Sequence, residues 1–150
     1  MTRFAMLLLM TVILVACGCD KGGKRAQRVG ILCGGDAFIA AMDGFKAGMT
    51  DLGYREGENI VYDVRMGKGD RSRQAEIVRT FVSDKVDLIF AFPTGAALVA
   101  KEQSAGTGIP VLFSIANTDG TKLVESIRNP GVNITGVRLA GVDAVVKRLE

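Results

Sequence analysis

The chain has 150 residues, enough for one domain with a core of its own once its apolar N-terminus is set aside. Its formal net charge is only +3 and its basic residues are scattered, which argues against nucleic acid as a partner. It contains no histidine, which excludes Ser-His-Asp and Cys-His catalysis and any zinc site that needs imidazole, and its three cysteines are not spaced as a metal site or a disulfide framework.

Residues 1–16 read as an export signal. Arg3 precedes an apolar run broken only by Thr11, and the run ends at Leu14-Val15-Ala16-Cys17, which has the form of a bacterial lipobox. The run is shorter than the roughly 20 residues that a membrane-spanning helix needs. Cys17 is therefore the expected lipidation site and mature N-terminus, with Cys19 a weaker choice. The competing reading is an uncleaved membrane anchor with a chance cysteine. Residues 17–27 read as a flexible tether, and residues 21–28 (KGGKRAQR) are basic enough to be drawn to anionic headgroups at about 1 kcal/mol per charge. Gly18 stands where a retention aspartate would stand, which favours the outer membrane in a cell that has one.

From residue 28 the pattern alternates between strand and helix. Residues 28–33 are a short apolar strand that stops at Gly34-Gly35-Asp36. Ile39, Met42, Phe45, Met49 and Leu52 then recur at helical spacing, and Gly53 supplies a stop. Residues 58–66 alternate as a second strand near an edge. Asp70 is placed to cap a second helix with Ala75, Val78, Phe81 and Val82 as its core stripe. Residues 86–92 (VDLIFAF) form a third strand, apolar enough to be buried on both faces of a parallel sheet. A short helix over 96–103, a strand over 109–115, a helix over 121–128 and a strand over 134–139 complete the series. The expected fold class is α/β: a doubly wound, parallel, five-stranded sheet with helices on both faces, occupying residues 28–140. Val142, Val145, Val146 and Leu149 begin an amphipathic helix over 141–150, read either as a frayed terminal helix or, preferably, as the start of a passage to a further domain.

In such a sheet, ligands bind beyond the carboxyl ends of the strands. Three loops lie there. Gly34, Gly35 and Asp36 allow close backbone approach and offer a carboxylate to an amine. Pro93, Thr94, Gly95 and Ala96 open a helix whose free N–H groups, with the Thr94 hydroxyl, are able to hold an anion. Ser114, Asn117 and Asp119, with Thr118, donate and accept hydrogen bonds. Taken singly, the glycines are ordinary turn residues, and Asp36, Thr94 and Asp119 are ordinary helix caps; their shared edge is what makes them site residues. Phe38 and Phe92 near these ends are either aromatic platforms or core. Cys33 is a possible nucleophile, but nothing near it in sequence lowers its pKa. No dinucleotide fingerprint, phosphate loop or placed carboxylate pair is present, so no cofactor is expected and catalytic groups are few.

Several stretches together resemble one family. RVGIL, GFKAGMTDLGYREGENI, VDLIFAFPTGAA, IPVLFSIANTD and RNPGVNITGV follow one another as in the first half of the substrate-binding lipoproteins of ABC transporters, the group that includes tryptophan- and tyrosine-type receptors. The most specific pieces are Leu52-Gly53-Tyr54 with Glu56-Gly57 and Asn59, and Asn129-Pro130-Gly131 with Asn133-Ile134-Thr135-Gly136. The resemblance implies a flavodoxin-like lobe of a type I periplasmic binding protein, its second lobe absent from these residues. It implies an exported, membrane-anchored, non-enzymatic receptor that closes by a hinge around a small solute, such as an amino acid, and delivers it to an ABC permease. It also makes residues 136–141 the first passage towards the second lobe. Asp119 is followed by Gly120-Thr121 where this family often has Asp-Pro. The alternative function is a lipid-tethered sensory or protein-interaction module of the same fold.

Overall fold

A computed structural model describes residues 25–139. The expected export signal, Cys17, and the helix expected from Val142 lie outside the described residues. Within them the chain forms β1 (Gln27–Cys33), a 3-10 turn (Asp36–Phe38), α1 (Ile39–Asp51), β2 (Ile60–Met66), α2 (Arg71–Ser83), β3 (Leu88–Phe92), α3 (Thr94–Gln103), β4 (Val111–Ala116) and β5 (Ile134–Arg138). The strands make one sheet in the order β2-β1-β3-β4-β5, with every neighbouring pair parallel. This is the doubly wound arrangement, because the chain steps from β1 outward to β2 and then returns to the other side of β1 as β3.

The central strands β1 and β3 are short apolar runs buried on both faces, as helices above and below a parallel sheet require, while the edge strands β2 and β5 are mostly half-buried or exposed. On one face Leu32, Ile89, Ala91, Val111 and Phe113 meet Ile77, Val78 and Phe81 of α2 and Ala96, Val99 and Ala100 of α3. On the other, Val29, Ile31, Phe90 and Phe92 lie under Met42, Phe45 and Met49 of α1. Each fully buried side chain of this size contributes about 1.5–3 kcal/mol. The core stripe of α2 is rotated from the expected one: Gln74, Ile77, Val78 and Phe81 are buried, while Ala75 and Val82 are half-buried.

α1 has no fully buried residue, and Ile39 and Leu52, at the two ends of its expected stripe, are exposed. Among the described residues it is the only helix on its face. Beside it Leu112, Ser114, Val137 and Leu139 border an apolar recess of about 400 Å³.

The helix expected over residues 121–128 is absent; turns and bends stand in its place. Hydroxyls there compete for the backbone. The Thr121 Oγ1–H is shared between the carbonyls of Asn117 and Thr118, and the same oxygen accepts from Leu123 N. Ser126 Oγ accepts from Asn129 N, and Glu125 N donates to the Pro130 carbonyl. Eight residues are also too few to hold a helix without strong packing.

Among the described residues no helix is long and apolar enough to cross a membrane.

Candidate functional site

Register brings the first three strand ends to one level. Cys33 of β1 lies opposite Met66 of β2 and Phe92 of β3. The loops that leave them are stitched together by their backbones. Gly34 N donates to Phe92 O at 2.7 Å, Gly67 N to Cys33 O at 2.7 Å, and Gly69 N to Gly34 O at 2.9 Å. Gly34 is glycine for a steric reason: a Cβ there would sit 2.5 Å from Pro93 Cδ and 3.1 Å from Phe92 O. Gly35 has open space around it, so no close approach explains it.

Between these loops lies a cavity of about 270 Å³, lined by Gly34, Phe38, Gly69, Gln74, Pro93 and Gly95 among others. It sits between the ends of β1 and β3, where the chain reverses its winding direction and where open α/β sheets bind ligands. α3 begins here after a cis peptide bond between Phe92 and Pro93. Its N-cap, Pro93, makes no side-chain capping bond, and the first helical bond is that of Ala97 N to Pro93 O. The N–H groups of the first turn are thus left for another acceptor, at the positive end of the helix dipole.

The sequence-derived site residues divide into groups. Gly34, Pro93, Gly95 and Ala96 line the cavity directly. Asp36 is exposed beside it and does not cap a helix; the 3-10 turn starts at Gly35 without a side-chain cap. Thr94 is inside α3 and not its cap. Its Oγ1 accepts from Asn117 N at 2.9 Å, tying the third loop to the second. Asn117 Oδ1 accepts from Asp119 N at 3.0 Å, which closes a local turn. Asp119 pairs at 3.4 Å with Arg138 at the end of β5. Ser114 is elsewhere, at the apolar recess beside Phe45 and Phe90, and its buried Oγ has no partner among the described residues. The bulge in β4 explains the separation: register shifts between Phe113 and Ala116, and Ile115 takes a left-handed φ of 50°.

Of the two aromatic residues near the strand ends, Phe38 lines the cavity and Phe92 is core, its ring tilted against that of Phe90 at 4.7 Å. Cys33 is also core. Its thiol donates to Gly35 O at 3.2 Å, and burial first, then the Asp36 charge, push its pKa up, the wrong direction for a nucleophile. Sequence reasoning missed Gln74 and Gly69. A signal for Gln74 existed: it falls three, four and seven residues before Ile77, Val78 and Phe81, so it is a polar residue on a core stripe.

Residues 28–150 match the family described as ABC transporter substrate binding protein. A tyrosine-binding protein of Clostridioides difficile (strain R20291) is 35% identical over 117 residues, covering 75% of this chain and 33% of that protein. Among solved structures, the ligand-free, open form of a Clostridium difficile substrate-binding protein with adhesive properties superposes with a TM-score of 0.74 at 29% identity, over 83% of this chain and 43% of that one. A Streptococcus pneumoniae domain solved with L-Trp has the same fold, with a TM-score of 0.69 at 24% identity, over 75% of this chain and 38% of that one. The chain thus spans between a third and a half of the length of these relatives.

Proposed function

This chain belongs to the ABC transporter substrate-binding protein family, and we propose that it holds a small solute, an amino acid or a molecule like it, at the carboxyl edge of its sheet for an ABC permease. One observation carries this reading: the cavity at the reversal point between β1 and β3, open to the unpaired N–H groups of α3. A solute carboxylate fits those donors. Asp36, exposed at the same edge, is positioned for an ammonium group. Likeness to a tyrosine-binding protein supports the amino-acid class.

The test is thermal unfolding of the full chain against a panel of the common L-amino acids. A ligand that binds only the folded state at a hundred times its Kd stabilises by about 2.7 kcal/mol. At least one amino acid is expected to raise Tm in a concentration-dependent way. No shift with any of them at tens of millimolar would contradict the proposal.

We also propose that the chain is exported and anchored through lipid on Cys17, on the strength of the lipobox-like Leu14-Val15-Ala16-Cys17. Labelling of cells with an alkynyl fatty acid is expected to mark the wild-type chain and to leave Cys17→Ser unmarked; equal labelling of the two would contradict it.

A further inference from the structure

The least expected member of the cavity wall is Gln74. It lies on the buried stripe of α2 and is only 5% exposed. Its backbone N–H donates to Asp70 O as a helical residue should; its side-chain amide makes no hydrogen bond to another described residue, and it is not one of the side chains whose buried polar atoms are left unpaired. Its surroundings show a site built to admit it. Gly67 is buried, and a Cβ there would fall 2.5 Å from Gln74 Cγ and 3.0 Å from its Nε2. Glycine at 67 therefore leaves the path by which Gln74 enters. The side chain lines the cavity that the first turn of α3 also lines.

The chemistry of this wall has a sign. Gly95 and Ala96 bring the positive end of α3, Gln74 brings two N–H donors, and Arg71 brings a guanidinium already engaged by Glu102. No carboxylate is in the wall among the described residues. We propose that Gln74 is the specificity-determining donor for the carboxylate of the bound solute, acting together with the α3 N–H groups. This deepens the solute-binding reading above and rests on it. Gln74 then separates acids from their neutral or cationic analogues, because an amide or amine in place of the carboxylate leaves donors of the wall unpaired.

Calorimetric titration of the full chain with L-tyrosine, L-phenylalanine and L-leucine, and with the carboxamide of each, tests this. Wild type is expected to bind at least one acid about tenfold or more tightly than its carboxamide. Gln74→Glu places a like charge against the carboxylate, so it should abolish or reverse that preference. Gln74→Met, close in shape but without donors, should lower acid affinity by about five- to thirtyfold. A purely structural Gln74 would lower Tm in these variants and leave the acid-to-carboxamide ratio as it was; that result overturns the assignment but leaves solute binding standing. Wild type that binds neither acids nor carboxamides overturns both. A measurement without variants guards against misfolding: the Gln74 side-chain Nε2 resonances of the wild type should move on saturation with the acid that binds, and unmoved resonances overturn the assignment.

Discussion

At Gly34 the chain has no room for a side chain, since the Pro93 ring and the Phe92 carbonyl already fill that space. This contact sets how closely the first and third strand ends approach, and hence the width of the cavity between them. One residue earlier, Cys33 is wholly buried, and its raised pKa has a thermodynamic consequence. A thiol that stays protonated in the folded state while it ionises in the unfolded state contributes stability below its ordinary value of 9.0, and that contribution is lost as pH rises above it. Tyr62, raised by burial and by Glu56, acts in the same direction from 10.0. Urea midpoints should therefore fall above about pH 9, and the fall between pH 9 and 10 should be shallower in Cys33→Ala. An unchanged slope would show that the thiol has the same pKa in both states. Gly34-Gly35-Asp36 was legible in the sequence as a turn, but not the reason for its first glycine, because Pro93 is far away along the chain. Gln74 was hidden by its polarity, which ordinarily marks a solvated face.

The helices differ in how completely local signals define them. α2 begins at Asp70, whose carboxylate accepts from Ser72 N at 2.8 Å and Arg73 N at 3.2 Å. Asp70→Ala should cost about 1 kcal/mol of stability, read as a lower urea midpoint with an unchanged slope; no loss would show that water replaces the cap at no cost. α1 ends where Gly53 takes a φ of +90° and its N–H donates to Thr50 O. Both signals are local, and both are visible in sequence. The segment over 121–128 carries a plausible apolar spacing, yet its hydroxyl-to-backbone bonds and the Pro130 carbonyl contact depend on residues the spacing does not weigh. Strand positions were legible to within about two residues because apolar runs mark buried parallel strands. The bulge at Ile115 was not, and it is what sends Ser114 to the apolar recess and Asn117 to Thr94.

For the whole molecule, the consequence of the strand order is that unrelated stretches of sequence meet at one edge. Residues 34, 69, 74, 93 and 95 meet only because β1 is flanked by β2 and β3 in register. Alternation of strands and helices already implies that edge, which is why three of the loops could be named from sequence; the loop after β2, with Gly67 and Gly69, needed the register as well. Among the described residues, the face of β4 and β5 beside α1 carries an apolar recess. A solute at the carboxyl edge and a contact on that face are distinct events, separable by where they act. The most direct measurement is the backbone amide spectrum of the full chain during titration with the amino acid that raises Tm most. Saturable shifts are predicted at residues 34–36, 67–74 and 94–96, with little change at 112–114 and 135–138. Shifts confined to 112–114 and 135–138, or none at the strand ends, would contradict a solute site at the carboxyl edge.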